Sequence, residues 1–290
     1  MLRRCFRAMG TDCELFLRAR SRPEALRAMD EAEQEVHRLE TIFSRFDPDS
    51  ELSELNRRGT LRAGPELLEV VDLALGARDR TGGRFDPTVH DALVAVGYDR
   101  TFEKVSAEGR GGNTTTSSAL RCAGAVRVDR KTRRIELDRG VHLDLGGIAK
   151  GYAVDRAATI LAMRGPCLVD AGGDIAAHGA GWPIGLDIGD ATLTLLLGDA
   201  AVATSGRDRR HWTRGTEKLH HIIDPATALP AAGDLLRVTV VAATATDAEV
   251  WAKALFITGS EGAEREANAT ATPALLVTLD GRRIFAGGLA

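Results

Sequence analysis

The chain has few aromatic residues, only 4% of its 290, and its basic residues are not interleaved with them. That argues against a nucleic-acid surface built from phosphate contacts and base stacking. The four cysteines (Cys5, Cys13, Cys122, Cys167) are scattered, with no C-x-x-C pair. This speaks against a thiolate zinc site or a disulfide framework and fits reduced thiols in a cytoplasmic chain. A lone cysteine nucleophile finds no support from neighbouring residues. No apolar run approaches the roughly 20 residues of a membrane span. Arg3-Arg4 opens like a signal peptide, but no apolar segment follows, so the expectation is an unexported, cytoplasmic protein. A net charge of −3 implies no polyelectrolyte partner. G-x-S-x-G, Walker A and G-x-G-x-x-G motifs are all missing.

The apolar fraction is 44%, and the length suits one large domain or two lobes sharing a core. Helical periodicity predicts helices over 23–41, 65–81, 152–163 and 245–259, with a short helix capped by Ser50 and another near 85–89. Alternation predicts strands at 13–18, 167–169, 183–188, 191–197, 201–205, 219–223 and 236–242, and hairpins at 126–129/134–137 and 274–279/283–285. The mixture lacks strict β-α alternation, so the expected class is α+β. Residues 103–121, small and polar, read as a flexible insertion in a single domain spanning 1–290.

Leu143-Asp144-Leu145-Gly146-Gly147-Ile148-Ala149-Lys150-Gly151-Tyr152 is the most informative stretch. An apolar run ends in a carboxylate, then come Gly-Gly, Lys-Gly and a helical pattern. Glycines permit positive φ and close approach of a ligand. A helix N-terminus presents N–H groups and partial positive charge to an anion, and Lys150 adds a full charge. The stretch reads as a phosphate-binding turn; an ordinary strand-to-helix turn with a surface lysine fits the same pattern. Other glycine turns occur at Gly82-Gly83, Gly172-Gly173 and Ser205-Gly206. His221, followed by Asp224-Pro225, is a candidate base with an orienting carboxylate. Adjacent His220 and His221 in a strand point to opposite faces, so at most one serves a site. Asp144, Asp170, Asp174, Asp247 and Glu249 are candidate hard-oxygen ligands for magnesium.

Seven ordered segments together resemble the ApbE family of FAD:protein FMN transferases. They follow Met9-Gly10-Thr11 and are Phe43–Asn56, Gly83–Val89, Asp144–Tyr152, Asp170–Ile175, Ala203–Gly206, His221–Pro225 and Ala254–Phe256. The resemblance implies a two-lobed α+β fold with FAD in a cleft between the lobes. It implies cleavage of the FAD pyrophosphate with Mg2+, transfer of FMN to a threonine of a target flavoprotein, and release of AMP. It further implies His221 and Lys150 as catalytic residues. Met9, Thr11, Asn56, Asp86, Thr88, Asp144, Gly146, Gly147, Lys150, Gly151, Gly172, Gly173, Ser205, Gly206 and His221 would line the FAD site. Ala149, Glu249 and Lys253 occupy the family's metal positions, the last two atypically: the family has Asp and Thr there. Glu249 and Lys253, four apart, share a helix face. They form either a surface ion pair worth roughly 0.3–0.5 kcal/mol or a face on which metal binding is weakened or displaced. Two other readings stay open: an FAD-binding carrier or regulator without transferase activity, and an FAD pyrophosphatase giving FMN and AMP.

Overall fold

The computed structural model describes residues 1–108, 122–179, 181–189, 191–214 and 217–289. In chain order the elements are β1 (Leu2–Ala8), β2 (Thr11–Leu17), α1 (Arg22–Phe43), α2 (Glu51–Arg58), β3 (Thr60–Arg62), α3 (Pro65–Arg80), α4 (His90–Ala95) and α5 (Phe102–Glu108). Then come β4 (Val126–Asp129), β5 (Arg134–Leu137), α6 (Ala149–Ala162), β6 (Cys167–Ala171), β7 (Asp174–His178), β8 (Trp182–Asp187), β9 (Thr192–Leu197) and β10 (Ala200–Gly206). Last are β11 (His211–Arg214), β12 (Glu217–His220), β13 (Ile223–Asp224), β14 (Leu229–Pro230), β15 (Leu235–Ala242), α7 (Ala245–Ile257), α8 (Gly259–Thr270), β16 (Ala274–Thr278) and β17 (Arg283–Ala286). The class is α+β, as expected. Among the described residues no helix is long and apolar enough to cross a membrane.

The chain folds into two compact units. The first comprises residues 1–40, 148–205 and 234–290, the second residues 41–147 and 206–233. The motif 143–152 therefore contains the point where the chain leaves one unit for the other.

The first unit is built on a sheet in the order β1-β2-β6-β7-β10-β15-β16-β17. Its central strands are buried on both faces, and the two-residue side-chain period sorts them. Cys13, Leu15 and Leu17 of β2, with Cys167, Val169 and Ala171 of β6, join a core with Met29, Ala32 and Val36 of α1 and Val154, Ala157 and Leu161 of α6. Leu168 and Ile175 point the other way, into a core with Trp182, Ile184 and Leu186 of β8 and Leu197 of β9. Helix α7 crosses α6 so closely that a Cβ on Gly151 would lie 2.5 Å from the Ala245 carbonyl oxygen. In the second unit, β3-β5-β4 form a small sheet. A separate core joins Leu93 and Val96 of α4 and its C-cap, Tyr98, Trp212 and Leu219. Trp212 Nε1 donates to the Val96 carbonyl at 3.0 Å, taking up an acceptor that α4 leaves unpaired at its end.

Several expectations hold closely. Ser50 caps α2, its hydroxyl accepting from Ser53 N at 3.0 Å, and the β4–β5 hairpin falls where alternation puts it. Others need correction. Arg3-Arg4, which opens like a signal peptide, lies in a strand not expected from the sequence, Leu2–Ala8, paired with β2. The strand expected over 219–223 breaks after His220, because the Ile222 N–H turns to His220 Nδ1. Helix α8 escapes the sequence reading because the residues on its buried side, Ser260, Ala263 and Ala267, recur at helical spacing but are all small. It is started instead from outside by Asp234, which accepts from Ser260 N at 2.8 Å and from its hydroxyl at 2.6 Å. The insertion expected over 103–121 begins inside α5, and residues 109–121 lie outside the described residues.

Gly151→Ala tests the close helix crossing. Overpacking against rigid backbone costs 1–3 kcal/mol, so the variant should unfold at a lower urea concentration, with a loss on the order of 2 kcal/mol. An unchanged midpoint would show that the helices do not meet at Gly151.

Candidate active site

The first turn of α6 holds the strongest concentration of buried charge in the first unit. Lys150 Nζ donates to Asp174 Oδ2 at 2.5 Å and also to Glu249 Oε1. Glu249 Oε2 accepts from the Gly151 N–H at 2.9 Å. Both carboxylates are almost fully buried, whereas the Lys150 side chain keeps 17% of its surface exposed. One of the first-turn N–H groups expected to meet an anion is thus already matched by a carboxylate of the protein, a favourable place for negative charge. Glu249 is not the surface partner envisaged from sequence: it is 3% exposed and joins α7 to α6. Burial pushes the Asp174 carboxyl up to about 6, with Lys150 opposing and the Glu249 carboxylate adding to the rise. Lys253, one turn beyond Glu249, lies near enough to favour the ionised form of Asp174.

A second carboxylate fixes the same helix pair. Asp155 accepts from Ala245 N at 2.7 Å, Thr246 N at 2.9 Å and Thr246 Oγ1 at 2.6 Å, capping α7 from α6. Ala149, the first residue of α6, is buried. Around the strand ends, Gly172 and Gly173 have φ of 67° and 100°, the left-handed region that glycine enters without strain. A Cβ on Gly172 would strike Thr11 Oγ1 at 2.2 Å, which puts Thr11 against this turn. Asp170 Oδ1 accepts from Gly173 N at 2.8 Å. Met9 sits in the β1–β2 turn at φ 52°, its N–H held by Glu40 Oε1 at 2.6 Å. Ser205 is buried in β10.

This donor set does not fit magnesium. The ion needs oxygen ligands in near-octahedral array. Here Glu249 is committed through both oxygens to an ammonium and a backbone N–H, Asp174 faces the same ammonium, and position 253 carries a lysine.

In the second unit the expected site residues are held by their neighbours. The Asn56 side chain pairs with the Leu143 backbone, donating to its carbonyl at 2.9 Å and accepting from its N–H at 2.8 Å. Asp144 follows: its N–H donates to the Pro87 carbonyl at 2.8 Å, Oδ1 accepts from Gly146 N at 2.9 Å, and Oδ2 pairs with Arg45 Nε at 2.6 Å. The Arg45 guanidinium also lies 4.2 Å from the Phe46 ring centroid and 4.8 Å from that of Tyr98. His90 and His142 both bond Asp91, at 2.8 and 2.9 Å, tying the approach to Asp144 onto α4. Asp86 Oδ1 accepts from both Thr88 N and Thr88 Oγ1 at 2.8 Å, and Oδ2 accepts from Ala123 N at 2.7 Å. Asp86 and Thr88 are thus spent on holding the loop that returns near Ala123. Gly146, Gly147 and Gly206 do not lie in the left-handed region, so the first glycine pair of the motif is not there for positive φ.

The two histidines separate as the strand period suggests. His220 is buried, Nε2 donating to the Ala231 carbonyl at 3.1 Å and Nδ1 accepting from Ile222 N at 3.3 Å. Burial, helped by Arg207, pushes its pKa down to about 4, so it is a neutral core histidine. His221 is half-buried, its ring edge-on to Tyr98 at 6.5 Å. Its Nδ1 lies 3.3 Å from the Arg210 carbonyl, which can only accept and therefore places the proton on Nδ1. The expected orienting role of Asp224 gives way to this carbonyl, since Asp224 Oδ1 accepts from Ala226 N at 2.9 Å. All four cysteines are free thiols, and burial pushes Cys13, Cys122 and Cys167 up to about 12, which makes those three inert at neutral pH.

Sequence reasoning undervalued Asp174, Asp155 and Arg45. Asp174 ends a Gly-Gly-Asp turn, and Asp155 lies between Val154 and Ala157 on a buried helix face; a carboxylate in such a place needs a partner, and that was the available signal. The raised Asp174 pKa gives a testable sign. The folded state binds the proton more tightly than the unfolded chain, so Asp174 draws down stability as pH rises from about 4 to about 6. Measured by urea denaturation, Asp174→Asn should therefore gain on the unsubstituted protein across that interval. A pH-independent difference would contradict the assignment.

The ApbE family's sequence profile matches residues 9–276. An FAD:protein FMN transferase of Treponema pallidum is 28% identical over 286 residues, covering 87% of this chain and 77% of that protein. One of Klebsiella pneumoniae is 26% identical over 269 residues, covering 84% and 74%. Among solved structures, the ApbE protein of Thermotoga maritima superposes with a TM-score of 0.81 at 27% identity, covering 98% of this chain and 96% of the other. The apo flavinyl transferase ApbE of Pseudomonas stutzeri, at 23% identity, shares the fold with a TM-score of 0.84, covering 98% and 93%. With a profile match over most of its length and its motif segments falling in order within that range, the chain belongs to the ApbE family.

Proposed function

We propose that this protein is an FAD:protein FMN transferase, attaching FMN through a phosphoester to a threonine of a flavoprotein and releasing AMP. The observation that carries the reading is the ordered set of seven motif segments inside the family match at 9–276. The two transferase relatives, similar over more than four-fifths of this chain, support it.

In this reaction the threonine oxygen attacks the FMN-side phosphorus. The bond from that phosphorus to the bridging oxygen breaks, and AMP leaves with the oxygen and the electron pair. The hydroxyl proton passes to Nε2 of His221, whose lone pair is kept available by the Nδ1–Arg210 carbonyl contact. Such transfers depend on positioning and charge stabilisation more than on covalent chemistry by the protein. Lys150, held between two carboxylates yet partly exposed, is the proposed pyrophosphate partner. Gly146, Gly147, Gly151, Gly172, Gly173, Ser205 and Gly206 provide backbone approach, and Met9, Thr11 and Asp144 line the flavin. Asn56, Asp86 and Thr88, engaged with the Leu143 backbone and the 122–124 loop, act by shaping that lining. The free, unpaired thiols suit a cytoplasmic setting.

The test is incubation with FAD and a threonine-bearing FMN-binding acceptor domain, read by mass spectrometry and chromatography. The expected result is an acceptor heavier by one FMN, with AMP in equal amount. AMP with free FMN would identify a pyrophosphatase, and FAD retained intact a carrier; either outcome rejects the transferase. His221→Ala should slow transfer by roughly 10²–10⁴-fold without weakening FAD binding to the same degree.

A further inference from the structure

We infer that this chain's own ammonium groups take the place of a divalent metal ion beside the buried carboxylates Asp174 and Glu249, so that the site takes up no magnesium and FAD binds independently of it. The inference rests on the FAD-transferase reading and adds the ionic requirement of its site.

The first observation is charge balance. The buried cluster at the start of α6 contains two carboxylates, Asp174 and Glu249, and the Lys150 ammonium between them. Lys253 is close enough to stabilise the Asp174 carboxylate. Lys150 meets both carboxylates directly, and the Lys253 charge adds to the positive potential at Asp174. A buried carboxylate pair without cations would call for a metal ion, because burying unpaired charge is costly. Here that requirement is already met by the protein.

The second observation is donor commitment. Glu249 uses Oε1 on Lys150 and Oε2 on the Gly151 N–H. A divalent ion at Glu249 would have to displace an ammonium and leave a helix N–H unpaired in a buried place. Lysine at 253 removes an oxygen donor and sets a like charge beside any incoming cation. The third observation is rigidity. Glu249 stands on α7, which is fixed to α6 by the Asp155 cap and by the contact at Gly151. The helices therefore cannot part to enlarge the site, and a carboxylate that turned away would give up both the Lys150 and the Gly151 N–H contacts.

Two measurements on the full chain test this. Mn2+, a paramagnetic stand-in for magnesium, is titrated into the FAD-free protein and free Mn2+ is read by electron paramagnetic resonance. No saturable binding below millimolar concentration is expected at the α6–α7 site, and a site of micromolar affinity that persists in His142→Ala, which breaks up the His90–Asp91–His142 group able to hold a metal ion, overturns the inference whatever the protein does with FAD. FAD affinity is then compared in EDTA and in magnesium by flavin fluorescence. Values within about twofold are expected, and a tenfold or greater loss in EDTA overturns the inference. If FAD binds under neither condition, the transferase reading fails while the Mn2+ titration still decides the cation question. Glu249→Asp with Lys253→Thr should create Mn2+ binding. Lys253→Thr alone serves if the double variant does not fold, as judged by circular dichroism. A folded variant that still ignores Mn2+ overturns the assignment to these side chains.

Discussion

Glu249 is the constraint on which the first unit's site depends. Its two oxygens hold different parts of one turn: Oε1 fixes the Lys150 ammonium and Oε2 the Gly151 N–H. Such a carboxylate can be buried only where its charge is matched and its lone pairs are used, and the start of α6 provides both conditions. The close crossing at Gly151 follows from the same arrangement. Side-chain volume at 151 would push Ala245 away and carry Glu249 with α7. Asp155 returns the favour from α6, filling the unpaired N–H groups at the start of α7. Each helix thus completes the other's N-terminus, and Lys150 is positioned as a consequence.

The second unit reaches order by a different route. Its expected ligand-lining side chains act on backbone. Asn56 mimics a strand partner for Leu143, Asp86 gathers Thr88 and Ala123, and Asp144 ties Gly146 to Arg45. Arg45 in turn lies over two aromatic rings, Phe46 and Tyr98, which hold its guanidinium flat. Polar residues that look like ligands in a motif can thus serve by fixing the loop that presents a ligand surface.

These differences explain what could be read from the sequence. Strands β2, β6 and β15 and helices α1, α3, α6 and α7 carry large apolar residues because they border a core, and those residues stand out in the one-dimensional pattern. Helix α8 has only small residues on its buried side, and its start is set by Asp234, well upstream in sequence. The break after His220 likewise depends on a local side-chain-to-backbone bond that competes with the strand ladder. At the site, the sequence identifies Lys150, Gly151 and Glu249 as residues of interest. It does not identify their pairing, because 98 or more positions separate the partners and nothing in local spacing records the crossing of α6 and α7. Of the two reasons for glycine in the motif, positive φ does not apply at 146 and 147, while the clearest steric demand falls on 151, where two backbones meet.

Set against the Asp and Thr that the resemblance to the family implies at these positions, Glu249 and Lys253 act as one. Glutamate reaches one methylene farther than aspartate, and the added length is what the double contact to Lys150 and Gly151 uses. That carboxylate, turned fully toward α6, no longer offers an oxygen to anything else. A lysine one turn away then restores the positive charge that a neutral oxygen donor at the same position would have left to a bound ion. Either change alone would unbalance the cluster: glutamate with threonine leaves two carboxylates facing one ammonium, and aspartate with lysine sets an ammonium against an open coordination site. Together they close the charge balance inside the protein, and that couples residue 249 to residue 253 more tightly than an exposed helix pair four apart would require.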